Sequence, residues 1–261
     1  MVPDAQPVDR SLGIDTQVPS DVAMPVDLSL GFDTHVPADV GMPADLAVVP
    51  DPALRAFYSF EEGSGTTVGD QSGYGNNGTT LGTFIAGKVG GGMRTSGLNN
   101  VVTVPHSSSL AFSGSEFSLE GWVRPATVSS GSSNWRWVVQ KFVTTPGGYG
   151  LFVSGNPVTQ VCMSTYNLPQ YCANASIPNG TWAHVAAVSV GTTWRLYLNG
   201  EQVGSQSGHG ANLVLGTSPV TLGLSSFLDL DEVQIWSRAR TAAELCTDAG
   251  KSWVTGTCSG L

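Results

Sequence analysis

The sequence predicts an all-β protein: a two-sheet antiparallel sandwich over residues 54–261, with one short C-terminal helix, preceded by an extended repeat tail over residues 1–53. Three observations carry this. Only 12% of the residues are charged, about half the usual share, and 33 are Gly, a balance that suits short strands and tight turns better than helices. From residue 54 onward, apolar and aromatic runs of five to eight residues alternate with clusters of Gly, Ser, Asn and Pro. Before residue 54 that pattern is missing, and Asp recurs at every sixth position instead.

The tail comes first. Asp stands at 9, 15, 21, 27, 33, 39, 45 and 51, and the 18-residue block 11–28 recurs as 29–46. Residues 1–53 carry a net charge of −8 and residues 54–261 a net charge of −1. One reading of the repeat is a semi-rigid spacer, stretched by proline and by repulsion between aspartates. The other follows from the mostly apolar even positions between Leu12 and Val48, an alternation that signals strand. Two 18-residue coils bury too little to stand alone, so an ordered tail needs a partner, such as another copy associating through residues 9–51.

In the second part, strands are expected at 56–60, 100–104, 117–124, 137–142, 150–154, 158–164, 182–190, 193–198, 219–224 and 230–236. The pair Asn199-Gly200 predicts a two-residue hairpin between two of them. Thr241-Ala-Ala-Glu244 is a capping box, so one short helix begins there, and Gly250 lies beyond its last turn.

Four cysteines fall in two close pairs, Cys162 with Cys172 and Cys246 with Cys258. An even count in this arrangement predicts two disulfides in an oxidising compartment, with zinc as the alternative. The near-neutral sandwich lacks the clustered Lys and Arg that nucleic acid requires. No apolar stretch reaches the roughly 18–20 residues of a membrane span. The expected location is secreted or on a bacterial cell surface, with any leader or lipid tether upstream of Met1.

Five stretches then carry a resemblance: FYSFEEGSGTTVGDQSGYGNNGT (57–79), FSLEGWVRP (117–125), YGLFV (149–153), WAHVAAVSVGTTWRLYLNGEQVGS (182–205) and LDLDEVQIWSRARTAAEL (228–245). In this order they resemble the laminin-G-like domains of bacterial surface proteins, which have a concanavalin A-like jelly-roll sandwich. The link 224–229 is shorter than the loop relatives often carry there, so a contact at that rim is expected to be missing. The tail resembles the Asp- and Pro-rich stalks of bacterial surface lipoproteins. The resemblance implies two antiparallel sheets, frequent calcium, and roles in adhesion or glycan binding, without naming one ligand.

Catalysis was weighed against the residues. Glycoside hydrolysis generally needs two carboxyl groups roughly 5–9.5 Å apart across a cleft. The nearest approach is Asp229-Leu230-Asp231-Glu232, after which no third acid follows in phase, and Glu116 and Glu120 flank another strand without a partner. His184 sits among apolar neighbours and reads as a packed residue. The chain is therefore expected not to be an enzyme.

Calcium is the expected cofactor, at Asp70, Asn77 and Asp231. Asp231 shares strand parity with Val233 and Ile235 and is expected to point toward the core, where a carboxylate needs a partner or a metal. The loop 70–78 offers the oxygen ligands calcium prefers, and in relatives this loop meets the Asp-Glu-Val strand. The alternative has Asp70 and Asn77 stabilising turns and Asp231 accepting backbone N–H groups. A ligand surface is expected around Trp135, Tyr166 and Tyr171, which lie outside the family's strand motifs; the alternative has Trp135 packed under its own loop and the tyrosines capping a hairpin edge. The expected function is an extracellular, non-catalytic binding or adhesion module for a glycan or surface protein. A structural subunit of a surface polymer, assembled through the tail, is the second reading and a glycosidase the third.

Overall fold

The computed structural model describes residues 51–127, 135–142, 145–166, 168–209 and 213–260. All of the described residues belong to one compact unit, Val48–Leu261. The repeat at 1–50, with both readings of it, lies outside the described residues, as does the polar loop 129–134.

In chain order the strands are β1 (Leu54–Tyr58), β2 (Thr67–Val68), β3 (Gly78–Thr80), β4 (Thr83–Ala86), β5 (Gly91–Gly97) and β6 (Val102–Val104). Then come β7 (Phe117–Pro125), β8 (Trp135–Lys141), β9 (Tyr149–Ser154), β10 (Val158–Thr165), β11 (Tyr171–Ile177) and β12 (Ala183–Val190). They end with β13 (Thr193–Leu198), β14 (Glu201–Ser207), β15 (Val220–Leu222), β16 (Ser226–Trp236), helix α1 (Ala242–Asp248), β17 (Ser252–Val254) and β18 (Thr257–Ser259).

Two eight-stranded antiparallel sheets face each other. Sheet A runs β14-β13-β12-β7-β16-β5-β4, with β1 also paired to β16, and sheet B runs β11-β10-β9-β8-β15-β6-β3-β2. Strand periodicity divides the side chains. In β7, Phe117, Leu119 and Val123 enter the common core, while Ser118, Glu120, Trp122 and Arg124 stand on the outer face of sheet A. Valines and leucines of β6, β15 and β9 meet them from sheet B.

Local chemistry supports both turn expectations. Asn199 and Gly200 have φ of 50° and 79°, the left-handed pair of a type I′ hairpin turn. The capping box forms, with Thr241 Oγ1 accepting from the Glu244 N–H and the Glu244 carboxylate accepting from the Thr241 N–H. Both disulfides form, Cys162–Cys172 between β10 and β11 and Cys246–Cys258 between α1 and β18.

The parity assigned to Asp231 is corrected. A β-bulge shifts the register between Asp231 and Gln234, and Glu232 adopts a φ of 51°. An extra residue in one strand of a pair resets the alternation. Leu228 and Leu230 are therefore the core residues before the bulge, and Val233 and Ile235 after it. Asp229 and Asp231 stand on the outer face, opposite Arg124 and Trp122.

Candidate functional site

The two outer faces differ in what covers them. On sheet A, Leu245 of α1 packs on Ala186, Val188 and Tyr197. Three indoles of this face lie under cations: Lys88 over Trp122 at 4.7 Å, Arg124 over Trp182 at 4.7 Å, and Arg240 over Trp236 at 4.2 Å. Such cation–π stacks occupy the faces a ligand ring would use. The carboxylates of this sheet are also engaged. Asp229 receives Arg94 at 2.7 Å and Arg124 at 2.8 Å. Glu120 is fully buried, 3.5 Å from His184 and 3.6 Å from Arg240.

Sheet B presents a polar row. Ser164, Gly150, Gln140, Thr221, Thr103, Thr79 and Thr67 are successive register partners across seven strands, and directly paired residues share a face. Their sequence neighbours Val139, Leu151, Val102, Val220 and Val68 are core residues, so the row faces outward. Thr67, Thr79 and Thr103 are exposed, and the end of the row opens into a depression of about 360 Å³ that Thr79, Thr103 and Asn99 help line. In the middle, Gln140 Oε1 is buried with no hydrogen-bond partner. An unsatisfied amide oxygen at this depth is unfavourable by itself.

Beside the row stands an aromatic ledge. Trp137 lies across Gly150, where a Cβ would come within 2.5 Å of the indole, so only glycine lets the ring lie flat there. Trp137 packs on Phe152 at 4.6 Å between centroids, and Phe152 on Trp135 at 5.7 Å. Cys162 and Cys172 pack under the ledge, and Trp135 is the exposed member at 47%.

Of the expected ligand residues, Trp135 is thus on this face and joined to the disulfide. Tyr171 is not beside it: it pairs with Met163, whose side chain is in the core, and packs half-buried against that core, 6.4 Å from the ring of His209. Tyr166 is half-buried beyond β10, where its N–H donates to Gly148 O. Tip residues of a two-stranded hairpin alternate between faces; the cysteine spacing gives the pairing of Cys162 with Cys172, and Tyr171, next to Cys172, takes the opposite face. The missed site residues are Gln140, Thr221 and Thr103; their only sequence signal is a polar residue at one parity of an otherwise apolar strand.

The expected calcium ligands fall into separate networks. Asp70 accepts from the N–H groups of Phe57, Ser72 and Asn76 and from Ser72 Oγ, four donors that fill the positions of a carboxylate. Asn77 Oδ1 accepts from the Asp70 N–H at 2.8 Å. These two residues organise their loop. Asp231 Oδ2 accepts from the N–H groups of Lys88 and Val89, while its Oδ1 is buried without a partner. Burial pushes this carboxyl up to about 6, and the neighbouring Glu61 adds to the rise. Among the described residues no group of three or more His, Cys, Asp or Glu is arranged to hold a metal.

A concanavalin-type β-sandwich with one outer face covered by a helix and the other polar and aromatic is the class these features define. The sequence agrees: residues 95–246 match the concanavalin A-like lectin/glucanases superfamily, and the chain belongs to it. No curated protein matches it. Among solved structures it is similar to the binding domain of Paraclostridial Mosquitocidal Protein 1 (TM-score 0.63, 17% identity, 76% of this chain and 52% of that one). It is similar to domain 4 of AbnA, a GH43 extracellular arabinanase from Geobacillus stearothermophilus, in complex with arabinotriose (0.58, 20%, 75% and 97%). Trypanosoma rangeli sialidase is a third (0.55, 17%, 77% and 33%). The chain thus spans about half or less of two of these three, and at such identities the likeness shows the fold.

Proposed function

We propose that the chain is an extracellular, non-catalytic binding module that holds a carbohydrate on the outer face of sheet B. The observation that carries this is the juxtaposition of the exposed Trp135 ledge with a row of hydroxyl and amide side chains whose central acceptor, Gln140 Oε1, has no partner. An aromatic ring takes the apolar face of a pyranose or furanose, and hydroxyls and amides take its edge, the combination expected of a site with a few placed polar groups. The arabinotriose bound to a structurally similar domain supports the ligand class, and the toxin binding domain supports binding as the general role. Two of the acids considered for hydrolysis are engaged: Asp229 by the guanidiniums of Arg94 and Arg124, and Glu120 beside that of Arg240. Two disulfides support an oxidising compartment, and no helix among the described residues is long and apolar enough to cross a membrane.

The test is a glycan array with the parent, Trp135→Ala and Gln140→Ala. A glycan retained by the parent and lost by both variants supports the site. Equal retention by both folded variants overturns it. Calcium belongs to this reading at Asp231 alone, where the buried Oδ1 has no partner and Glu61 and Glu232 add repulsion that a cation would relieve.

A further inference from the structure

We infer that the C-terminal hairpin and the β13–β14 turn form a second binding pocket, for a single neutral sugar residue, on the sheet A side of the domain. The hairpin β17–β18 lies beyond the family match, which ends at residue 246. It is fixed by the disulfide Cys246–Cys258, and the approach is close: a Cβ on Gly200 would sit 2.7 Å from Cys258 Sγ and 2.8 Å from Cys246 Cα. Gly200, needed by the turn for its positive φ, is also the residue that lets the hairpin seat here.

Seating it leaves an open pocket of about 320 Å³, whose lining includes Tyr197, Gly200, Glu201, Gln202, Trp253 and Thr257. That volume is at the lower limit of small-molecule sites, which suits one ring. Trp253 is 39% exposed although it pairs with the buried Cys258. An indole held on a disulfide-fixed strand is a platform that loses little freedom on contact. Tyr197, buried against Ala186, Val188 and Leu245, forms a rigid floor to the pocket.

The polar groups indicate the ligand's charge. Glu201 Oε1 accepts from Lys251 Nζ at 2.8 Å, so the pocket's one carboxylate is neutralised. The pair has no net charge to favour either a cation or an anion. The remaining capacity, in Glu201 Oε2, the Gln202 amide and the Thr257 hydroxyl, suits hydroxyl groups that both donate and accept. This site shares no residue with the Trp135 face and does not depend on it.

The experiment is saturation-transfer NMR of the full chain with a panel of neutral methyl glycosides, comprising gluco-, galacto-, manno- and xylopyranosides, an N-acetylglucosaminide and an arabinofuranoside. At least one is expected to receive saturation at its ring protons. The signal should vanish in Trp253→Ala, persist more weakly in Trp253→Phe, fall by about tenfold in affinity in Gln202→Ala, and remain in Trp135→Ala. Circular dichroism of each variant confirms the fold. No transfer to any glycoside overturns the proposal, as does transfer that survives in Trp253→Ala or disappears only in Trp135→Ala; the last result assigns the sugar to the other face.

Discussion

A Glu120 carboxylate oxygen lies 3.5 Å from His184 Nε2, with both side chains buried between sheet A and helix α1. The contact is not an ordinary ion pair. Desolvation pushes Glu120 up to about 8, with Arg240 opposing and Asp248 adding to the rise, and desolvation with Arg240 pushes His184 down to about 3. Near neutral pH both groups are uncharged, and Arg240, whose Nη2 also bonds Asp248, carries the charge of the cluster.

The pH dependence follows. Between the ordinary carboxylate range and about 8 the folded state holds a proton on Glu120 that the unfolded chain has released, so stability falls as pH rises through that window. Glu120→Gln keeps the shape and removes the titration. Its unfolding free energy should match the parent's near pH 4 and exceed it at pH 9, by on the order of 5 kcal/mol. Urea melts at the two pH values check this; a constant difference between variant and parent would contradict it.

His184 acts in the opposite sense. Its folded pKa of about 3 lies below the unfolded value, so it contributes a loss of stability as pH falls from 6.5 toward 3. His184→Gln should flatten the acid limb of the same curve, and an unchanged limb would place the acid sensitivity elsewhere.

The aromatic ledge separates stability from binding. Trp137 is buried and lies across Gly150, so Trp137→Ala should lower stability by roughly 3–5 kcal/mol. Trp135 is half exposed, and Trp135→Ala should change stability by about 1 kcal/mol or less while abolishing glycan retention. Thermal melts beside the array distinguish the two.

Gly200 should tolerate nothing larger. Gly200→Ala adds a Cβ against Cys258 Sγ and Cys246 Cα at a positive φ. Overpacking and backbone strain together should lower stability by about 2–4 kcal/mol. Gly208, also at positive φ but with open space around its Cβ position, should show only the backbone part, about 1 kcal/mol. Equal effects at the two positions would mean that the disulfide does not press on the turn.

Calcium is expected to raise the melting temperature of the parent and not of Asp231→Asn, since Asp231 Oδ1 is the buried oxygen without a partner. Asp70→Asn should lower stability with or without calcium, because Asp70 serves four donors of its own loop. Identical melts in excess chelator and excess calcium would dismiss the ion.

Much of this architecture was legible in the sequence because burial on one face leaves a period-two signal. β7, β12, β13 and β16 were found within a few residues. Among the missed strands, β5 is GGMRTSG, where glycine gives no pattern, and β14 is EQVGSQS, an edge strand open to solvent, whereas β11, YCANASI, does alternate in burial but carries small residues that hide the period. The helix and the hairpin turn were readable because capping and left-handed φ demand particular residues. The site was read less well. Trp135 stood out by type, whereas Gln140 and the threonines acquire meaning only when register aligns seven strands. The orientation of Asp231 depended on a bulge that Asp-Glu-Val does not announce.

Strand β16 lies at the centre of sheet A, flanked by β7 on one side and by β5 and then β1 on the other. Leu54, near the start of the domain, pairs with Trp236, near its end. Such long-range pairing makes for slow folding, because loop closure must precede the contacts that reward it. During synthesis, β1, β5 and β7 therefore emerge with their edges unpaired and wait for a strand that arrives almost last. An unfinished sheet of this kind is prone to aggregation. The domain can complete its fold only after residue 236 has been delivered, which suits a chain that crosses a membrane unfolded and assembles on the far side.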